Sequence, residues 1–310
     1  MIGGVVQRLR DARRAWRDYP LRIGTMAAGR YRIEAFLGMG SYGQAYRAVD
    51  TATGTRVLLK TGKPSKGPVG LELLRRESDI LGRLSHPGIP AWLDYVRFGG
   101  REGLVTELKA GRNLEDQIVE GGRTFTEAEA LRILRRLAEP IGHLHGRGFV
   151  HRDVRIPNVL ERDGDVALID FGLACAIGER LPASLREGLG ETAGGAEPGG
   201  GKPASVPGVR LSSARVRSEG TWGAVKRRMR LPEPSSDLYG MGHLLLFLLY
   251  AGYEATDGRE RSWNEELELR QETGDLIRKL LTTGTDGFAH AGELAFELDR
   301  ILARMQGDPA

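Results

Sequence analysis

Residues 149–160 read FVHRDVRIPNVL. Between apolar ends stand His151, Arg152, Asp153, Arg155 and Asn158. An ordinary surface loop has no need of that density of polar groups. An acid, two cations and an amide held together suit chemistry on an anion. Asp153 can accept a proton from an attacking hydroxyl. Asn158, five residues on, can turn its carbonyl oxygen to a metal. Further along, VALIDFGLA places Asp170 at the end of a short apolar strand, where it would meet the same metal from the other side. Carboxylate and amide oxygens are the hard ligands that Mg²⁺ takes, and Arg155 adds positive charge beside Asp153. Phosphoryl transfer wants this set, because it needs little covalent help: an acceptor held in line, cations on the transferring group, and metal on its oxygens.

Upstream, RYRIEAFL, QAYRAVD and TRVLLK read as strands, broken by GMGSYG and the turn TATG. Gly38, Gly40 and Gly43 therefore join two strands. A dinucleotide site needs a helix after its glycines and an acid about 20 residues on, so that reading fails. A glycine loop between antiparallel strands suits a flap closing over phosphates, where backbone must come close to the ligand. Lys60 ends the third strand, and a compact ammonium beside such a flap can hold phosphates but needs a counter-ion while desolvated. Glu72 and Glu77 on the following helical stretch are the candidates. Glu77 is preferred because it shares a face with Ile80, Leu81 and Leu84. WLDYVRF and EGLVTEL flank Gly99-Gly100 as a hairpin. Beyond Leu108 the chain is mostly helical: one long helix runs from TEAEAL to Gly146–Gly148, and SSDLYGMGHLLLFLLYAGY is apolar enough to be buried.

Composition bounds the rest. Of 310 residues, 40% are hydrophobic and 28% charged, as in a globular protein. The net charge of +4 lies wholly within residues 1–22, where Arg8, Arg10, Arg13, Arg14, Arg17 and Arg22 face Asp11 and Asp18. A body summing to zero argues against nucleic-acid binding and confines any electrostatic targeting to the N-terminus. There Val5, Leu9, Ala12, Trp16 and Tyr19 recur at helical spacing, as a helix docked on the domain or a basic amphipathic anchor for acidic lipid, nucleic acid or a partner. The single cysteine, Cys175, allows no intrachain disulfide and fits a cytoplasmic setting, peripheral to a membrane if the basic helix binds one. Residues 182–219, rich in Gly, Ala, Pro and Ser, are expected to be mobile.

In order, GMGSYG, the Lys60 of RVLLK, Glu77 with SHPGIP, HRDVRIPN, DFG, GTWG and SDLYGMG resemble the eukaryotic-like Ser/Thr protein kinases of bacteria, over roughly residues 30–305. The resemblance implies an α+β bilobal fold. After an extension at 1–25 come a small antiparallel N-lobe with one main helix (26–108) and a larger helical C-lobe (109–305), with the 182–219 insertion in its activation segment. It implies ATP and Mg²⁺ between the lobes and transfer of the γ-phosphate to Ser/Thr hydroxyls of proteins, this chain among them. Asp153 would be the base, Asn158 and Asp170 the Mg²⁺ ligands, and Lys60 with Glu77 the phosphate clamp. Arg155 would stabilise the transferring group. Gly38, Gly40, Gly43, Ala45, Leu58 and Leu160 would surround the nucleotide, with Thr106 as gatekeeper and Glu107 to Lys109 as hinge. Asp237 would support the catalytic loop.

The pattern also breaks. Arg155 stands where most Ser/Thr members carry Lys. Ala45 and Leu58 replace the usual Val and Ala over adenine, one losing volume and the other gaining it. After GTWG no APE-like segment is well placed, since Glu233 is too near Asp237, and its usual arginine partner is also missing. Basic Lys226, Arg227, Arg228 and Arg230 stand there instead, as an acidic-substrate platform or a solvated face. Ser205, Ser212, Ser213, Ser218 and Thr221 offer hydroxyls for autophosphorylation, with Arg152 as a phosphate receiver. Two other readings stay open: a pseudokinase serving as a binding scaffold, and a small-molecule kinase of the aminoglycoside or choline type.

Overall fold

The computed structural model describes residues 18–191, 219–254, 261–282 and 286–307. These divide into two compact units. The first takes residues 18–83, 90–108 and 181–191, and the second takes 84–89, 109–180 and the remainder.

The first unit is a six-stranded sheet and its helices. Strands β1 (Met26–Ala27), β2 (Tyr31–Met39), β3 (Gly43–Asp50) and β4 (Arg56–Gly62) lead through a 3-10 turn at Pro64–Lys66 into α1 (Gly67–Leu81). Strands β5 (Trp92–Phe98) and β6 (Arg101–Glu107) follow. The order is β1-β2-β3-β4-β6-β5, and every neighbouring pair is antiparallel. Alternation fixes its two faces. Tyr31, Ile33, Tyr46, Ala48, Val57, Leu59, Val96 and Val105 form one buried cluster, with Leu21 and Phe98 against it. The β5–β6 hairpin turns through Gly99 and Gly100, both at positive φ (52° and 73°), which only glycine adopts without strain.

The second unit continues with β7 (Arg112–Asn113), α2 (Leu114–Val119) and α3 (Glu127–Gly146). A capping box closes the start of α3, Thr126 and Glu129 each bonding the other's backbone, and Gly148 turns the chain away at φ 83°. Pro140 sits inside that helix. Strands β8 (Phe149–Val150), β9 (Val159–Arg162), β10 (Asp165–Leu168) and β11 (Cys175–Ala176) follow, β10 pairing with β9 and β11 with β8. Cys175 is fully buried.

The chain then rejoins the first unit as α4 (Ala183–Gly188). This corrects the expectation that everything from residue 182 is mobile. Leu181, Leu185 and Leu189 are all buried, and α4 packs on α1 so closely that a Cβ on Gly188 would lie 2.8 Å from Val69 Cγ1. The rest of that stretch, 192–218, lies outside the described residues, as do Val5, Leu9, Ala12 and Trp16.

In the second unit again, α5 (Glu219–Met229) and α6 (Pro234–Tyr250) precede α7 (Trp263–Glu266), α8 (Gln271–Leu281) and α9 (Ala291–Gly307). Helix α6 is buried along Leu238, Met241, Leu244, Leu245 and Leu248. Among the described residues no helix is long and apolar enough to cross a membrane.

On α6, burial pushes the pKa of His243 down to about 4, and its Nε2 is sealed without a partner among the described residues. Between pH about 6.5 and 4 the unfolded chain binds a proton that the folded chain refuses, so this group costs stability as pH falls and contributes nothing above 6.5. A pH series of thermal melts on the wild type and His243→Phe is expected to diverge below pH 6.5. The wild type should lose up to about 1.4 kcal/mol per pH unit relative to the variant.

Candidate active site

The HRD stretch is suspended between β8 and β9. Its shape depends on one acid from α6. Asp237, 1% exposed, accepts the His151 amide on Oδ2 and the Arg152 amide on Oδ1, each at 2.8 Å. His145 Nε2 lies 2.9 Å from the same Oδ2. These bonds hold Arg152 at φ 65°, a conformation that costs a non-glycine residue of order 1–2 kcal/mol. Gly240 allows α6 so close: a Cβ there would sit 3.0 Å from the Val154 carbonyl oxygen.

Arg152 is 4% exposed. It spends its guanidinium on backbone carbonyls, Nε on Arg230 (2.6 Å) and Nη1 on Leu173 (3.2 Å). His151 stacks edge-on against Phe171 at 4.8 Å, and its Nε2 faces the Ile169 carbonyl at 3.1 Å, which only a protonated nitrogen can bond.

From this frame project the chemical groups. The Asp153 carboxylate is held from two sides. Arg155 forks it, Nε to Oδ1 at 2.7 Å and Nη2 to Oδ2 at 3.0 Å, and Asn158 Nδ2 donates to Oδ2 at 2.8 Å and to the Asp153 carbonyl at 2.9 Å. Burial opposes the charge on Arg155, but Asp153, Asp170 and Glu115 outweigh it and raise its pKa. A lysine, the commoner residue there in the resembling family, could not make this fork. Asn158 sits in a 3-10 turn with its Nδ2 committed to Asp153, which leaves Oδ1 to face a metal. Its carbonyl accepts the Ile169 amide at 2.9 Å, tying it to the strand end that carries Asp170. Asp170 is left-handed (φ 64°) and caps the turn Phe171–Leu173. One amide oxygen and one carboxylate on a shared backbone link are a donor set that suits Mg²⁺.

The first unit carries an ion pair of its own. Lys60 Nζ meets both oxygens of Glu77, at 2.7 and 2.9 Å, with Glu77 4% exposed. Residues directly opposite in a ladder share a face. The registers Gly38↔Ala45, Ala45↔Lys60 and Leu58↔Thr106 therefore place Gly38, Ala45, Leu58, Lys60 and Thr106 on one side of the sheet. Ala45 opposes Lys60 while Leu58 opposes Arg47, so the two residues expected over adenine are diagonal neighbours on that face. A Cβ on Gly38 would meet nothing within 4 Å, whereas one on Gly43 would press on Lys60 Cε at 3.2 Å. The Gly40 amide closes the loop on the Gly43 carbonyl at 2.9 Å. Glu107 donates its amide to Ala91, and Lys109, in the second unit, bonds the Pro87 carbonyl. Leu160 lies in β9, paired with Asn113 and Ala167.

The model of the protein kinase domain matches residues 31–188 of this sequence. The chain belongs to the protein kinase family. This kinase is 29% identical over 287 residues to the probable serine/threonine-protein kinase YbdM of Bacillus subtilis, covering 92% of this chain and 94% of that one. It is 35% identical over 164 residues to the serine/threonine-protein kinase PknA of Mycobacterium tuberculosis, covering 50% of this chain and 38% of PknA. Among solved structures, the kinase domain of Mycobacterium tuberculosis PknI aligns with a TM-score of 0.60 at 18% identity, over 91% of this chain and 99% of that one. The apo form titled PpkA-294 aligns at 0.64 and 19%, over 90% and 99%. At those identities the structures speak to the fold alone.

The family match ends at Gly188, ahead of the region that lacks a well-placed APE-like segment. There the kinase places GTWG at the start of α5, and Glu233 flanks α6; its carboxylate accepts the Ser235 hydroxyl, its main-chain carbonyl accepts the Ser236 amide and hydroxyl, and it forms no ion pair among the described residues. Ser205, Ser212, Ser213 and Ser218 lie outside the described residues, and Thr221 sits in α5.

Removing Asp237 strands two buried amides. Asp237→Ala is therefore expected to cost about 3–5 kcal/mol, seen as a large drop in melting temperature. A melt within a degree of wild type would show that the catalytic loop holds its shape without that acid.

Proposed function

We propose that this chain is an active Mg²⁺- and ATP-dependent protein kinase that phosphorylates Ser and Thr hydroxyls, its own among them. The observation that carries the reading is the Asp153 carboxylate, oriented by Asn158 and forked by Arg155, in a chain that also keeps the Lys60–Glu77 pair. Asp153 accepts the proton of the incoming hydroxyl. Asn158 Oδ1 and the Asp170 carboxylate would hold Mg²⁺, which supplies neutralisation of phosphate charge when bound. Lys60 holds phosphate oxygens, and Glu77 keeps its ammonium aimed. Arg155 fixes Asp153 and places positive charge where the transferring group is negative. No group needed for transfer is missing, so nothing favours the scaffold reading. The arginines of residues 8–22 would give the kinase a place to meet an acidic surface.

Incubation of the full chain with ATP and Mg²⁺ is expected to add phosphate groups, read by intact mass and phosphopeptides. Asp153→Asn should slow transfer by about 10²–10⁴-fold with nucleotide affinity unchanged. Equal labelling of wild type and variant would remove Asp153 as the base, and no labelling of the wild type would remove the reading itself.

A further inference from the structure

A short stretch ahead of the matched kinase domain, which begins at Tyr31, is bonded into the first unit. Tyr19 and Ile23 are 69% and 74% exposed, so the stretch runs over the surface, yet Asp18 is only 7% exposed. Burying a carboxylate is costly unless it is bonded, and Asp18 is bonded on every side. Its Oδ1 accepts the Ser65 amide at 2.8 Å, its Oδ2 accepts the Ser65 hydroxyl at 2.6 Å, and Lys63 Nζ stands 4.0 Å away. Its main-chain carbonyl accepts Nε2 of the fully buried Gln44 at 2.5 Å. Gln44 Oε1 in turn accepts the Tyr46 hydroxyl at 3.0 Å, and that hydroxyl accepts the Leu21 amide at 3.1 Å.

The landing points matter. Gln44 lies on β3 opposite Thr61, the neighbour of Lys60. Lys63 and Ser65 belong to the turn from which α1 departs, and α1 carries Glu77. Asp18 thus ties the strands that hold the lysine to the start of the helix that holds its partner. Glu77 lies about 15 Å along the helix from that start, at 1.5 Å per residue. A tilt of about 10° at the start would carry Glu77 roughly 2.6 Å, given that rise. That is as large as the 2.7 Å ion pair itself.

We propose that Asp18 is a positioning residue for the Lys60–Glu77 pair, so that the segment preceding the kinase domain sets the phosphate-holding lysine from within the same chain. This rests on the kinase reading for its catalytic consequence, but its structural core does not. The test uses the full chain with Asp18→Ala, Ser65→Ala, the double variant and Asp18→Asn, which keeps an acceptor for Ser65. Hydrogen exchange of amides 67–81 is read beside kcat and the KM for ATP.

Asp18→Ala is expected to speed exchange across α1 and to lower kcat, each about tenfold, the scale of one charge-assisted hydrogen bond. Ser65→Ala, the milder change, should reproduce both effects. The double variant should be no worse than Asp18→Ala alone, and Asp18→Asn should recover most of the loss. In a Glu77→Gln background Asp18→Ala should have no further effect on kcat. Unchanged exchange over 67–81 in both single variants, or an effect that adds in full to Glu77→Gln, would overturn the proposal. The exchange arm needs no turnover, so a wild type that transfers no phosphate sinks the kinase reading and leaves the strap to be judged on α1.

Discussion

One buried carboxylate organises the catalytic half of this molecule. Among the described residues Asp237 has no arginine or lysine opposite it; its carboxylate meets two backbone amides and a histidine nitrogen. Bonds from N–H groups to an ionised acceptor are among the stronger ones in a protein, and here they hold a residue in a left-handed conformation. Arg152 turned that way sends its side chain inward and the next residue, Asp153, outward to Arg155 and Asn158. The placing of Asp153, Asn158 and Arg155 therefore follows from the helix that bonds the loop through Asp237. That helix reaches the loop because Gly240 has no side chain to stop it.

The Lys60–Glu77 pair follows a different logic. Lys60 and Glu77 are both largely removed from water, with side chains 18% and 5% exposed. A desolvated pair is held less by its net contribution to stability than by the cost of separating it. Its geometry is therefore inherited from the elements around it: the β3–β4 ladder on one side and the seat of α1 on the other. Helix α4 adds a third restraint on α1. The Tyr42 hydroxyl at the tip of the glycine loop donates to the Gly188 carbonyl at 3.2 Å, so loop and helix share a neighbour.

Most of the site was legible because its chemistry forces residue types into short, ordered spacings. The acid and amide of HRDVRIPN bond one another across five residues, while Lys60, expected at the end of its strand, lies inside β4, which runs on to Gly62. Glu77 was legible from its spacing nine residues ahead of His86-Pro87 and from helical phase, since it shares the buried face of Ile80 and Leu81. What was missed lacked either spacing or a composition signal. Asp18 and Ser65 are 47 residues apart, and no local pattern joins them. Gln44 was readable in part, as it alternates with buried Tyr46 and Ala48. Helix α4 was hidden by the glycine, proline and serine around it, although Leu181, Leu185 and Leu189 recur every four residues and all point inward. Averaging composition over residues 182–219 washed out a stripe only nine residues long.

The return of α4 to the first unit has a consequence for synthesis on the ribosome. The sheet is complete in the nascent chain once Glu107 has emerged, but the surface of α1 around Val69 has no cover until Leu189 does. At roughly 5–20 residues per second that delay is about 4–16 s. For that interval the growing chain displays an apolar helix flank, with the catalytic loop being made in between. A pause in that window would leave a finished sheet whose helix still has one flank uncovered.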